Sequence, residues 1–453
     1  MTSSLSGFPE LPPAERAVEL DVLDRLRRVF ELHGFASVET RAAEPLESLL
    51  RKGEIGNEVY VLRRLHAGDD PDAHSGLGLH FDLTVPFARY VLEHAGRLEF
   101  PFRRYQIQKV WRGERPQEGR YREFTQSDID VVARDELPFH HDVQIARVMA
   151  QALASLEFLP PLRLQINNRK LMEGFCLGLG VPDVDAVLRT VDRLDKVPVE
   201  VVRTMLREDG RLSAEQAEAC LALAAINTAD SSFATAVAEL GVHHELLDAG
   251  VAELRAVVDG CAGLSTDRFE VCADLRIARG LDYYTGTVFE TRMAGFEQLG
   301  SICSGGRYDS LASAGKISYP GVGISLGVTR MLMPLFQRGI LAGSRQVPSA
   351  VLIALPTEDD RDRCERIAQQ LRARGVACEV AEAAQKYGRQ IRVAERRGIP
   401  FVWFPDADGQ SQVRDIRSGE QVAADPEQWR PPDADLRPHT VRAATEGEGS
   451  SRR

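Results

Sequence analysis

The chain has 453 residues, of which 43% are hydrophobic and 27% are charged, proportions that favour an ordinary globular protein of about three domains. Its formal net charge is -11, so any attraction to a polyanion must come from local basic surfaces. No apolar run approaches the ~20 residues that span a bilayer, and the N-terminal residues lack the pattern of an export signal. These totals argue against a membrane protein, and we expect a cytoplasmic one.

The first predicted element is a helix after Pro12 and Pro13, with apolar residues at helical spacing from Val18 to Phe30. From Gly34 to about residue 165, short apolar runs alternate with one helical stretch that begins near Thr84. Pro86 two residues later makes a helix start there plausible, with the Thr84 hydroxyl as the cap. This mixture predicts an antiparallel or mixed sheet with helices packed against it.

The middle of the chain changes to helical periodicity. Residues 169–265 are predicted to form an inserted helical domain, and strand-like patterns return from Phe269. Residues 1–168 and 266–340 would then form one α+β catalytic domain. Strands and helices alternate over 346–430, which predicts a separate α/β domain. The polar residues 431–453 are rich in Pro, Gly and Ser, so we expect disorder there.

The cysteines and histidines do not indicate a metal site. None of the seven cysteines forms a CxxC pair, and the histidine doublets lack the i, i+4 spacing of a zinc-binding helix. We expect reduced, buried cysteines and no protein-bound metal.

Two basic segments stand out on this acidic chain. Residues 101–125 carry a local charge of +4 and residues 361–400 carry +5. They could bind phosphate, or they could simply be solvated faces of helices and hairpins.

One strand places polar side chains along a single line. Alternation in "FTQSDID" puts Phe124, Gln126, Asp128 and Asp130 on the same face of the strand. Carboxylates and an amide are costly to bury unless a polar or cationic group meets them, so a ligand is the economical explanation. Glycines follow in "SGGRYDSL" and "GVGISLGVTR", and we expect Arg307 to pair with Asp309 or a neighbouring acid.

Four blocks in a fixed order resemble histidyl-tRNA synthetases. They are "RGERPQEGRYREF", "ARGLDYYTGTVFE", "GGRYDSL" and "GVGISLGVTR". The first resembles motif 2 of class II aminoacyl-tRNA synthetases and the last resembles motif 3. The resemblance implies an antiparallel catalytic sheet, a helical insertion, a C-terminal α/β anticodon-binding domain and a homodimer.

The resemblance also implies a two-step reaction and a role for particular residues. ATP and L-histidine would form histidyl-adenylate, and the histidyl group would pass to the 3′ end of tRNA(His), with Mg²⁺ carried by the ATP phosphates. The implied catalytic residues are Arg112 and Arg279. The implied ATP-binding residues are Arg112, Glu114, Arg120, Phe124 and Arg330. The implied histidine-binding residues are Asp82, Thr84, Gln126, Asp130, Tyr283 and Tyr284, and Arg115 and Gln117 are candidates for contact with tRNA.

Three residues depart from the family pattern. Arg41 stands where motif 1 has proline, Ser310 replaces a glycine after "GGRYD", and Thr329 replaces the glutamate before the motif 3 arginine. The alternatives are a synthetase-like regulatory subunit of ATP phosphoribosyltransferase, which lacks the anticodon-binding domain, a duplicated synthetase with a specialised role, and an unrelated ATP-binding enzyme.

Overall fold

The structure is a computed structural model that describes residues 5–50, 58–64, 76–208, 210–278, 284–314, 317–406 and 410–442. The chain divides into two compact units. The first contains the described residues of Met1–Pro9 and Arg25–Pro334, and the second contains those of Glu10–Asp24 and Leu335–Arg453. No helix in the described ranges is both long enough and apolar enough to cross a membrane.

The first unit is built on a mixed β-sheet. Its strands are β1 (Ala36–Ser37), β2 (Ala43–Pro45), β3 (Leu77–Leu79), β4 (Phe102–Trp111), β5 (Glu123–Val132), β6 (Leu162–Asn168), β7 (Asn227–Thr228), β8 (Phe269–Asp274), β9 (Thr287–Met293), β10 (Cys303–Ala314) and β11 (Ile317–Gly327). Strands β2 and β3 pair with each other, and the other described strands lie in the order β1-β4-β5-β11-β10-β9-β6-β8-β7. Among the described strand pairs of this unit, only β1–β4 and β6–β8 are parallel. The predicted antiparallel or mixed sheet is confirmed.

The first unit also contains helices, and the segment from Gly34 to residue 165 has more of them than the single helical stretch that the sequence predicted. They are α1 (Pro13–Leu32), α2 (Leu46–Leu50), α3 (Thr84–His94), α4 (His140–Ala154), α5 (Arg169–Gly178), α6 (Val184–Val191), α7 (Val199–Glu208), α8 (Ala214–Ala224), α9 (Phe233–Glu239), α10 (Glu245–Cys261) and α11 (Val328–Gln337). The division between the units falls inside α1 and inside α11. Helices α5 to α10 belong to the same compact unit as the sheet, so a separate helical domain over 169–265 stays a prediction.

The second unit contains a five-stranded sheet with helices. Its elements are β12 (Leu341–Gly343), β13 (Val351–Ile353), α12 (Arg361–Ala373), β14 (Cys378–Val380), α13 (Tyr387–Arg397), β15 (Phe401–Phe404), β16 (Gln412–Asp415), β17 (Gln421–Ala423) and β18 (Thr440–Arg442). Strand β13 is parallel to β14 and β15, whereas β15, β16 and β17 pair antiparallel. The fully buried Trp403 lies in the core of this α/β unit, whose fold class was predicted.

The prediction of disorder from residue 431 is wrong as far as Arg442. Strand β18 pairs with β12, and Leu436 packs against the core. Arg417 donates to both carboxylate oxygens of Asp435, at 2.8 and 2.9 Å. The polar composition of this segment concealed a strand pairing and an ion pair, both of which depend on residues that are distant in sequence. Residues 443–453 lie outside the described ranges.

Candidate active site

An open pocket, with about 490 Å³ of empty space that is partly continuous with solvent, lies against the sheet of the first unit. Its walls come from the β4–β5 connection, from strands β5, β10 and β11, and from the start of α11. The lining residues are Arg112, Glu114, Gly119, Arg120, Tyr121, Phe124, Gln126, Ser301, Ile302, Ser304, Ser325, Gly327 and Arg330.

Arginines dominate the charge of this cavity. Arg112 donates from Nε to the carbonyl oxygen of Phe81 at 3.0 Å, and its guanidinium carbon lies 5.0 Å from the centre of the Phe124 ring. Arg330 donates to the carbonyl oxygen of Leu299. Arg120 and Glu114 approach to 3.6 Å. Planar guanidinium groups bind phosphate and carboxylate oxygens in pairs, so this wall suits a polyphosphate.

The β4–β5 connection carries exposed polar groups. Gln117 and Arg120 exchange backbone hydrogen bonds of 3.2 and 2.9 Å, which closes the connection into a tight turn. Arg115 and Gln117 are exposed on it. These two side chains are therefore accessible to a large partner.

A buried cluster lies further along β5. Arg104 on β4 forms a 2.6 Å ion pair with Asp130, and both side chains are almost completely buried. The hydroxyl of Tyr308 donates to the other oxygen of Asp130 at 2.8 Å. A Cβ atom added at Gly323 would lie 2.0 Å from that oxygen. Glycine at 323 therefore makes room for the Asp130 carboxylate.

The segment before α3 contributes a second acid. The backbone N–H of Val85 donates to Asp82 at 3.0 Å, whereas Thr84 is the first helical residue and caps nothing. The expectation that the Thr84 hydroxyl caps this helix is therefore wrong: the Asp82 carboxylate reaches the free N–H first. Burial lowers the pKa of the nearby His80, whose Nε2 contacts the Lys109 carbonyl oxygen at 2.8 Å.

Tyr284 lies close to these acids. Burial raises the pKa of its phenol, and the charges of Asp130, Asp82 and Asp128 raise it further. A Cβ atom added at Gly306 would lie 2.7 Å from the Tyr284 ring, so the glycine gives the ring its space. Arg279 and Tyr283 lie outside the described residues.

Comparison with known families identifies the family of this fold. A family model for histidyl-tRNA synthetase matches residues 7–331, and a model for an anticodon-binding domain matches residues 349–429. The chain belongs to the histidyl-tRNA synthetase family. The histidine–tRNA ligase of Cutibacterium acnes is 56% identical over 96% of this chain and 98% of its own length. That of Micrococcus luteus is 55% identical over 97% and 99%.

A solved structure supports the same assignment. The crystal structure of histidyl-tRNA synthetase from Nostoc sp. PCC 7120 superposes with a TM-score of 0.82, at 35% identity, over 93% of this chain and 96% of that one. The predicted resemblance to this synthetase family, with its catalytic sheet and C-terminal α/β unit, is confirmed.

The residues predicted for the synthetase site fall into two groups in the structure. The cavity wall includes Arg112, Glu114, Arg120, Phe124, Gln126 and Arg330. Asp82 and Asp130 are buried and do not line the cavity. The partly exposed Tyr284 lies close to both carboxylates, and Thr84 is the first residue of α3. The roles of these residues stay predictions.

Sequence reasoning missed two residues that contact a predicted site residue, Asp130. Arg104 and Tyr308 fix Asp130, as described above. Thr329 accepts a 2.9 Å hydrogen bond from the backbone N–H of Thr125 on β5, which gives a physical reason for this departure from the family pattern. The sequence signal for Arg104 was the local positive charge of residues 101–125. Arg307, expected to pair with Asp309 or a neighbour, binds Asp142 at 2.8 Å and lies 3.6 Å from Asp309.

The other two departures are less informative. Arg41 is half-exposed and lies 3.5 Å from both Glu44 and Glu93. The side chain of Ser310 lies outside the described part of the structure.

Proposed function

We propose that this chain activates L-histidine with ATP and transfers the histidyl group to the 3′ end of tRNA(His). Membership of the family makes it a histidine–tRNA ligase, an enzyme that consumes ATP. The observation that carries the proposal is the position of three cavity arginines beside a β5 face that bears an amide and two carboxyl groups. The arginines of the cavity suit a triphosphate, and the polar face of β5 suits an amino acid with a basic side chain.

In the first step a carboxylate oxygen of histidine attacks the α-phosphorus of ATP, and pyrophosphate leaves. The transition state gathers negative charge, so fixed cations near it lower the barrier. Arg112 would hold the substrate carboxylate and α-phosphate together, and its contact with Phe124 fixes both side chains. Arg330, Arg120 and Glu114 would bind the rest of ATP, with Phe124 against the adenine. Mg²⁺ would enter with the ATP phosphates, and Arg279 would act at the α-phosphate.

The amino acid would lie along the β5 face. Asp82, Thr84 and Gln126 offer oxygen acceptors for the α-ammonium group. Asp130, Tyr284 and Tyr283 would surround the imidazole ring. A site that offers a partner to each ring nitrogen rejects side chains that leave those partners unpaired.

Two surfaces would contact tRNA. The exposed Arg115 and Gln117 on the β4–β5 connection would meet the acceptor end. In the second unit, Arg389, Arg392 and Arg396 are exposed on one side of α13 and form no ion pair with another described residue. This basic helix face, within the segment that matches an anticodon-binding domain, would contact tRNA phosphates.

The family also suggests a homodimer, which we include in the proposal. The regulatory-subunit alternative is disfavoured because such subunits lack an anticodon-binding domain, and a model for that domain matches residues 349–429.

Exchange of radiolabelled pyrophosphate into ATP, measured with each amino acid in turn, tests the first step. We expect exchange with L-histidine alone. Equal exchange with several amino acids, or none with histidine, would refute the proposal. Arg112→Lys keeps the charge but loses the paired N–H groups, so the exchange rate should fall about 10²- to 10³-fold. Arg255→Lys, on an exposed position of α10, is the matched control and should exchange normally.

A second experiment separates tRNA binding from adenylate formation. Replacing Arg389, Arg392 and Arg396 with glutamine should raise KM for tRNA and weaken its dependence on salt, while histidine-dependent exchange stays unchanged. Unchanged charging kinetics would show that tRNA does not use this helix face.

A further inference from the structure

Two serine hydroxyls lie on the floor of the cavity. Ser304 on β10 and Ser325 on β11 both line it, and Ser304 is exposed whereas Ser325 is partly exposed. The two residues are direct partners in the β10–β11 pair. Side chains at directly opposite positions share a face of the sheet, with Cβ atoms about 4.5–5.5 Å apart. The two hydroxyls are therefore accessible from the cavity and close enough to bind one small group together.

An acid lies beyond each serine in the same row across the sheet. Asp128 on β5 is opposite Ser325, and Glu290 on β9 is opposite Ser304. Both acids are buried. The Ser325 hydroxyl donates to the Asp128 carboxyl group, so its oxygen keeps lone pairs that can accept from a ligand. The middle of the floor thus offers hydrogen-bond acceptors to the cavity.

The charges around the two serines disfavour a phosphate group above them. Glu290 lies 3.7 Å from Arg292, and Asp128, whose pKa burial raises to about 7, is ionised in part at neutral pH. Negative charge on both sides of the pair repels an anion and favours a neutral O–H donor. The cavity arginines Arg112 and Arg330 lie instead on the walls, in the β4–β5 connection and in α11. The walls therefore suit phosphates, and the serines suit a neutral group that carries hydroxyls.

ATP has one such group, its ribose. In the proposed function the adenine packs against Phe124 and the α-phosphate binds Arg112. The guanidinium carbon of Arg112 is 5.0 Å from the centre of the Phe124 ring, so both contacts lie on the β5 side of the cavity. The ribose joins the base to the α-phosphate, and the floor beside them is formed by the next strands in the sheet, β11 and β10. These are the strands that carry the two serines.

We propose that the hydroxyl groups of Ser304 and Ser325 bind the ribose hydroxyls of ATP and so distinguish ATP from deoxynucleotides. This inference rests on the proposed function and assigns a sugar contact within its nucleotide site. A site that hydrogen-bonds a substrate hydroxyl disfavours an analogue without it, because the partner group is then left unpaired.

The test compares nucleotides that differ by one ribose hydroxyl. KM for ATP, 2′-deoxy-ATP and 3′-deoxy-ATP is measured by histidine-dependent pyrophosphate exchange in the wild type, Ser304→Ala and Ser325→Ala. Each substitution should raise KM for ATP about 3- to 10-fold, because one neutral hydrogen bond is lost. It should leave KM unchanged for the deoxynucleotide that lacks the hydroxyl bound by that serine. KM for L-histidine should stay the same throughout.

Each other outcome has a definite meaning. An unchanged KM for ATP in both variants would overturn the proposal. Equal weakening of all three nucleotides would place the serines at the base or the phosphates, and a rise in KM for L-histidine alone would place them at the amino acid; either result would also overturn the ribose contact. Failure of the wild type to show histidine-dependent exchange would refute the proposed function instead. Ser37→Ala, at an exposed position on β1 of the same sheet, is the matched control and should keep every KM unchanged.

Discussion

Replacing Asp128 with asparagine should make the free energy of unfolding less dependent on pH. Burial, the dominant cause, moves the pKa of this carboxyl from an ordinary 3.8 to about 7 in the folded chain. Above about pH 4 the Asp128 carboxyl loses its proton in the unfolded chain but keeps it in the folded chain. Rising pH therefore destabilises the fold through this group until about pH 7, and the effect is constant above that.

The size of the effect follows from the two pKa values. Between pH 5 and pH 8, linkage gives a loss of about 2.5 kcal/mol in the free energy of unfolding. Asparagine does not titrate. The free energy of unfolding of the variant should therefore rise by about that amount, relative to the wild type, between pH 5 and pH 8. All other titrating groups are shared, and the difference between the two proteins isolates Asp128.

Urea-induced unfolding, followed by circular dichroism at pH 5, 6, 7 and 8 without ligands, measures this difference. Extrapolation to zero urea gives the free energy for each protein at each pH. A difference that stays flat across the range would mean that the carboxyl titrates at its ordinary pKa. The argument from burial would then fail.

Three other substitutions test the packing around the site. Gly323→Ala places a methyl group against a buried carboxylate oxygen of Asp130, so histidine-dependent exchange should fall about 10²-fold. The control Gly388→Ala, at a position with open space around it, should leave exchange unchanged. Thr329→Val removes an acceptor from a β5 backbone N–H and should cost about 1–2 kcal/mol in urea unfolding, a loss that Thr329→Ser should avoid. Asp142→Asn leaves the buried guanidinium of Arg307 without its counter-charge, and urea unfolding should show a loss of about 3–5 kcal/mol; a loss below 1 kcal/mol would mean that water solvates Arg307.

Local patterns in the sequence predicted most of the secondary structure. Apolar spacing predicted α1, and alternation predicted that Gln126, Asp128 and Asp130 share a face of β5, because both depend on residues within a few positions. The start of α3 was harder, since Asp82 and Thr84 are both good acceptors near the same free N–H groups. Only the folded structure distinguishes these two oxygens, and in it the carboxylate of Asp82 accepts from the N–H of Val85.

Partners distant in sequence could not be predicted in the same way. Arg104 and Tyr308 bind the same carboxylate from opposite sides of β5, because β4 and β11 flank that strand and β10 lies next to β11. The strand order follows from the whole sheet, so neither partner of Asp130 could be assigned from a local pattern. The resemblance to the family placed Asp130 at the imidazole ring without indicating that both of its oxygens are already bonded.

The glycine-containing blocks gain their meaning from side chains on other segments. Gly323 on β11 leaves room for Asp130 on β5, and Gly306 on β10 leaves room for Tyr284. A methyl group at either position would displace a side chain predicted to surround the histidine ring, although neither glycine carries a reactive group. The packing of these blocks is therefore interdependent. Strands β10 and β11 each have a glycine at the position where a side chain would displace Tyr284 or Asp130. This dependence predicts that substitutions at Gly306 and Gly323 change histidine recognition more than they change the stability of the sheet.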